Sequence, residues 1–321
     1  MSASPPKAKI RIAMAPEQRS DAAAAAVLRG LLEVILANRE GALVGRDPEH
    51  LHQLRISVRR SRTVQRQLAG VFPPLELRGF RSEFRWLQRA TGEARDLDVH
   101  VADFASLRAL LPESVQPDLG PLRLVLEHWR LAAHGQLISV LRSRRTEDLL
   151  GDWEMLLESL VELPTADRGR ATRPIGELSA HRVRRVYKRL LKMAEAISDT
   201  SSASAVHELR KKGKELRYLL DLFAVPLHSA DSLAPLIRPL KELQEVLGRH
   251  QDREVQIAML RGVAGEVAGL TRGPQAVLAM GMLIDRLEND ARAARSELAG
   301  PMAELGAGEQ RRLVRDTFAH H

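Results

Sequence analysis

Two runs of the sequence carry the residues best suited to chemistry, and that chemistry is the holding of anions. Residues 52–62 read HQLRISVRRSR and residues 207–218 read HELRKKGKELRY. On a helix turning about 100° per residue, Arg55, Arg59, Arg62 and Arg66 share an arc of roughly 80° with His52. His207, Arg210, Lys214 and Arg217 line an equivalent stripe. Leu54, Val58 and Leu68 in the first run, and Val206, Leu209, Leu216 and Leu220 in the second, supply the apolar side that would bury. Like charges at this spacing repel, and a solvated face relieves the repulsion with Glu at i+4. Here no acid interrupts either stripe before Asp221. Guanidinium forks pair with phosphate oxygens, so the pattern suits a ligand that offers one anion per short repeat, with phosphate fitting best. His52 and His207 each open a stripe, where a neutral imidazole donates one hydrogen bond to a phosphate oxygen and a protonated one adds charge.

Neighbouring segments add cations. Arg78, Arg81, Arg85 and Arg89 recur at i, i+3, i+7 and i+11, and Lys241 matches Arg85 in the second half. Arg185, Lys188 and Lys192 repeat the spacing, with Arg182 and Arg189 beside them. Each of these sets, taken alone, reads better as a solvated face than as a site.

The elements that must position these stripes are helices. Leu, Ala, Arg and Glu dominate, aromatics are 3% of the 321 residues, and the β-branched and aromatic enrichment of strands is missing. Periodicity predicts helices near 20–43, 48–70, 76–91, 96–111, 121–148 and 151–162, then 175–198, 203–223, 233–248, 252–268, 274–299 and 308–318. Breaker-rich stretches at Leu111–Pro121, Leu163–Pro174, Val225–Pro235 and Gly265–Pro274 read as loops. With 44% hydrophobic residues a packed core is expected. Net charge is +8, but residues 50–90 hold nine Lys/Arg against two Asp/Glu and residues 181–220 hold eleven against four. The positive charge therefore sits in two places, and the rest of the chain is net negative.

The chain also repeats itself. His52 aligns with His207, Gly92 with Gly248 and Asp96 with Asp252, at near-constant separation. Two such halves predict an all-α protein of two helical bundles with one basic site built across both. The division reads as a flexible tail over 1–19, a domain over 20–300 with halves 20–165 and 166–300, and an extension over 301–321. His320 and His321 close the chain, either natural or left by cloning.

At this point the pattern is similar to a known family. The runs 52–62 and 207–218, followed by GEARDLDV (92–99) and GRHQDREV (248–255), resemble the paired signatures of the CHAD family, a histidine-containing α-helical domain. The resemblance covers roughly residues 20–300. It implies two four-helix bundles related by a pseudo-two-fold, with a basic cleft between them that binds inorganic polyphosphate, and a cytoplasmic protein associated with polyphosphate granules. Carried over residue by residue, it implies polyphosphate contacts at His52, Arg55, Arg59 and Arg62, and at His207, Arg210, Lys214 and Arg217; Arg85 and Lys241 support them. Two positions depart from the internal match. Gly213 lies inside the second signature, where close helix contact is expected, and His250 and Gln251 replace Ala94 and Arg95.

Other functions are weighed against this reading. Nucleic-acid binding is the alternative, but two Tyr and three Trp leave little surface for stacking bases. No enzyme is expected: there is no Walker loop, no GxSxG elbow, no HExxH and no ExExK of a triphosphate-processing barrel. No cofactor and no metal are expected. Asp96, Asp98, His100 and Asp103 could hold a divalent cation, yet Asp96 and Asp252 follow glycines and read better as helix N-caps. No cysteine is present, which suits a reducing compartment, and no apolar run would span a membrane.

Overall fold

The computed structural model describes residues 4–198 and 200–319, so the terminal His320 and His321 lie outside the described residues. Among the described residues the protein is all-α. The first part holds α1 (Ser20–Val44), α2 (Pro48–Gln67), α3 (Pro74–Ala90), α4 (Gly92–Arg108), α5 (Gly120–Leu141) and α6 (Arg144–Ser159). The second holds α7 (Ile175–Glu195), α8 (Ala203–Leu219), the single turn α9 (Val225–Leu227), α10 (Ala230–Ala268), α11 (Gly273–Ser296), α12 (Ala299–Gly306) and α13 (Gly308–Thr317). Helix starts echo the sequence repeat: α1, α2 and α6 begin at Ser20, Pro48 and Arg144, and α7, α8 and α12 begin 155 residues later, at Ile175, Ala203 and Ala299.

The two signature helices begin where the sequence supplies caps. Asp47 Oδ1 accepts from Glu49 N at 2.8 Å with Pro48 in the first helical position, which starts α2. Ser202 Oγ accepts from Ala205 N at 3.2 Å and starts α8. Each helix then buries its leucine and valine stripe, including Leu51, Leu54 and Val58 of α2 and Val206, Leu209 and Leu216 of α8. Burying each such side chain contributes about 1.5–3 kcal/mol, so these stripes fix which way the polar faces turn.

Several expected boundaries move. The helix expected over 121–148 is two, because Ser143 caps a new start, its Oγ accepting from Thr146 N. The breaks expected at Pro235 and Gly248 do not occur: α10 runs unbroken for 39 residues through Pro235, Pro239 and Gly248. An interior Pro costs about 3 kcal/mol and a Gly about 1. The continuous buried stripe of Leu233, Leu236, Leu240, Leu243 and Leu247 outweighs both. Asp252 is consequently an interior helical residue, and Asp96 lies in the second turn of α4 rather than at its cap, so the N-cap reading of both is corrected.

The N-terminal stretch is not a free tail where it is described. Ala8 is buried, its N–H donates to Gln53 Oε1 at 2.7 Å and its carbonyl accepts from Arg60 Nη1 at 2.8 Å. The link 163–174 is equally fixed. Arg168, 1% exposed, donates to the carbonyls of Leu160 at 2.8 Å and Pro164 at 2.9 Å and to that of Leu163, all at or just beyond the end of α6, with Asp21 at 3.6 Å.

A basic cleft between the signature helices

The α2 and α8 helices pack against each other so that their cationic rows face across a cleft of about 310 Å³. Arg59, Arg62, Thr63 and Arg66 form one wall, and His207, Arg210, Lys211, Lys214, Glu215 and Tyr218 form the other. Five of the ten expected contacts, namely Arg59, Arg62, His207, Arg210 and Lys214, therefore meet in one place. Among the described residues the side chains of Arg59, Arg62 and Lys214 have neither hydrogen-bond nor ion-pair partners.

Crowding of like charges leaves its mark on proton affinity. Burial, with Arg210 and Arg59 adding repulsion, pushes the Lys214 ammonium down to about 7. Arg62 is lowered by burial and then by Arg85, Arg66, Arg59 and Arg89. The field thus runs on from the cleft to the Arg85 and Arg89 side chains of α3, which places Arg85 beside the site though not in its wall. His52 is lowered by burial and by Arg95, so it is neutral near pH 7.

Of the other expected contacts, Arg55, Arg217 and Lys241 are engaged within the protein. Arg55 is buried, and its Nη1 donates to Gln88 O at 2.7 Å and Thr91 Oγ1 at 2.8 Å, bracing the end of α3; burial pushes it down to about 10. Arg217 is outside the wall, its Nε paired with Asp221 Oδ1 at 2.9 Å. Lys241 is exposed on α10, 3.6 Å from Glu245. His207 is in the wall, with Nδ1 2.6 Å from Gln251 Oε1. So Gln251 takes up the histidine of the second half, where Arg95 lowers that of the first.

The signature glycines have matching neighbours. A Cβ on Gly92 would lie 3.8 Å from Arg55 Nη1, and one on Gly248 would lie 3.7 Å from Arg210 Nη2. Gly213 touches α10 as expected, its carbonyl accepting from Gln244 Nε2 at 2.8 Å. Asp252 sits 3.6 Å from Arg210 and is raised by burial, against the opposing pull of Arg210 and Lys214.

Counting acids only along the stripes themselves missed Glu215. This carboxylate is 5% exposed, accepts from Lys212 Nζ at 2.6 Å and from Gln67 Nε2, and lies 3.4 Å from Arg66 Nη2. It joins α2 to α8 at the side of the cleft. A helical wheel places it about 80° from His207, beside Lys211 rather than on the row. Arg66 did lie on the expected arc.

No group of His, Cys, Asp or Glu able to hold a metal ion occurs among the described residues, and Asp98 of the acidic cluster is paired with Arg130 at 2.8 Å. No helix among them is long and apolar enough to cross a membrane.

Comparisons with known proteins agree with this architecture. A solved CHAD domain from the plant Ricinus communis superposes with a TM-score of 0.78 at 26% identity, covering 95% of this chain and 98% of that one. PptA from Streptomyces chartreusis shares the fold, with a TM-score of 0.66 at 18% identity over 88% of this chain and 99% of that one. An uncharacterized protein of Mycobacterium tuberculosis, found in two strains, is 30% identical over 227 residues, which is 67% of this chain but 42% of that longer protein. The model of the CHAD domain matches residues 26–261, which contain both signature helices and both glycine segments, and the chain belongs to the CHAD domain family.

Proposed function

We propose that the protein binds inorganic polyphosphate, without catalysis, in the cleft between α2 and α8. The observation that carries this is the convergence of Arg59, Arg62 and Lys214, cations held together with no side-chain partner among the described residues while Lys214 is lowered to about 7. Such an arrangement is unfavourable in isolation and is relieved by an anion that meets both rows. A linear phosphate chain presents regularly spaced oxygens, suits guanidinium forks and agrees with the association of this family with polyphosphate. The neighbouring carboxylates Glu215 and Asp252 are paired with Lys212 and Arg210, which keeps them as internal counter-charges rather than acid–base groups. In the cell, this binding would recruit the protein to polyphosphate granules.

The test is a titration with polyphosphate, comparing the wild type with Arg59→Glu plus Lys214→Glu. The double reversal is expected to weaken cleft binding by more than about a hundredfold, from two charge-assisted contacts at about 1.5–3 kcal/mol each. Wild-type affinity should fall steeply with salt, as counterion release requires. Unchanged affinity in the double variant would remove the cleft from consideration. Displacement by duplex DNA or RNA at equal phosphate concentration would favour a general nucleic-acid binder, and phosphate release with Mg²⁺ present would make it an enzyme.

A further inference from the structure

The α7 helix carries cations that the cleft does not use. Between Glu177 and Glu195 it contains no acid at all. Arg185, Lys188, Arg189 and Lys192 are exposed, and among the described residues none of the four has an ion-pair or hydrogen-bond partner. They fall within about 100° of one another on the helix and span roughly 10 Å along it. None lines the wall between α2 and α8. The acids that bound the row are occupied elsewhere, Glu177 by Arg173 at 3.3 Å and Glu195 by Arg311 at 3.1 Å.

The corresponding helix of the first half lacks this row, so packing does not demand it. At the 155-residue separation shared by the helix starts, the matching positions of α1 are Gly30, Glu33, Val34 and Ala37. There Gly30 and Val34 are buried, with the Ile10 and Ile12 methyls 3.4 Å from where a Cβ on Gly30 would stand, while Glu33 and Ala37 are exposed. The α1 face is thus half closed, and its one charged residue of the four is acidic, while the counterpart on α7 is open and uniformly positive. Charge repulsion within an exposed row of four cations is relieved by salt or by a polyanion.

We infer that this face of α7 is a second contact surface for a polyphosphate chain, separate from the cleft, so that one molecule bridges two chains or two stretches of one chain. The inference rests on the proposed ligand of the cleft. Two weak polyanion contacts on one rigid body raise avidity on long chains and cross-link them, with no new contact needed.

The experiment compares wild type, the cleft variant Arg59→Glu plus Lys214→Glu, and the α7 variant Lys188→Glu plus Lys192→Glu. A short polyphosphate able to cover a single row is used for stoichiometry, and a long one for light scattering. Wild type should bind two short chains and form scattering assemblies with the long one. The α7 variant should bind a single short chain with cleft affinity unchanged, and lose the scattering. The cleft variant should keep the weaker site. Lys188→Gln plus Lys192→Gln, which adds no negative charge, should reproduce the α7 phenotype. Two chains and full scattering in both α7 variants would overturn the inference while leaving the cleft reading intact. So would loss of all binding in either the α7 or the cleft variant, which would mean one continuous site. Retention of phosphatidylserine vesicles by the cleft variant through α7, without retention of short polyphosphate, would also overturn it, assigning the face to a membrane. Failure of wild type to bind polyphosphate at all would instead sink the proposed function.

Discussion

The α2 and α8 helices carry nearly the same row of cations, and the fold treats them differently. On α2, the side chains of Arg59 and Arg62 have no hydrogen-bond or ion-pair partner among the described residues. On α8, Arg210 lies against Asp252, Lys212 against Glu215, and Arg217 against Asp221, which also accepts from Arg60 of α2 at 3.3 Å. Among the described residues Lys214 alone of that row is unpaired, and it is half-buried. A positive residue in sequence is therefore not the same as an available charge. The α2 wall supplies most of the free field, and α8 supplies one strained cation on a framework of internal pairs.

Truncating one arginine from each row separates the two helices most strongly. Arg59→Ala should weaken polyphosphate binding by about 1.5–3 kcal/mol, roughly ten- to a hundredfold, whereas Arg217→Ala should change it by less than about threefold. Equal losses in a titration would mean that Arg217 leaves Asp221 to meet the ligand. Next in size is Glu215→Ala. Unpairing Lys212 and Gln67 at the helix junction should lower stability by about 1–3 kcal/mol in urea unfolding, and Glu215→Gln by less. A stable Glu215→Ala protein would show that the two helices need no such brace.

Lys214 offers a pH test with a defined sign. Its folded value, about 7, lies below the ordinary lysine range, so the fold favours the neutral amine. That contribution to stability is complete at high pH, shrinks as pH falls from about 10.5 to 7, and is absent below about 7. Lys214→Met should remove this dependence and raise stability at pH 7 while weakening binding by about tenfold. Because a polyanion favours the charged amine, wild-type affinity should decline as pH rises above about 7, and the Met variant should lack that slope. A proton-coupled slope unchanged in Lys214→Met would assign the titration to another group. The smallest effect belongs to the glycines. Gly248→Ala, in the interior of α10 with 3.7 Å of clearance, should raise stability by up to about 1 kcal/mol, while Gly92→Ala, in the first turn of α4, should be near neutral. A large loss in thermal unfolding at either position would mean the arginine above it cannot shift.

Helix content, both cationic rows and the internal repeat were legible in the sequence because each depends on local periodicity. Starts at Pro48 and Ala203 follow from Asp47 and Ser202 caps that lie beside them in the chain. The unbroken α10 was not legible, because a buried leucine stripe overrode Pro235, Pro239 and Gly248, and burial is decided by what packs against the helix. Neither was the loss of Arg55 to the α3 terminus, since Gln88 and Thr91 are more than thirty residues away.

An all-helical chain, two matched rows of cations and their phase against the buried stripes are consequences of residue order, since side-chain spacing on a helix follows from its pitch. The meeting of the rows across one cleft, the choice of cations that Asp221, Glu215 and Asp252 neutralise, and the exposure of the whole α7 row where half of the matching α1 positions are buried came from packing alone. Those outcomes depend on distances between residues far apart in the chain, and electrostatic pairing and desolvation act over a few ångströms of space, not along sequence.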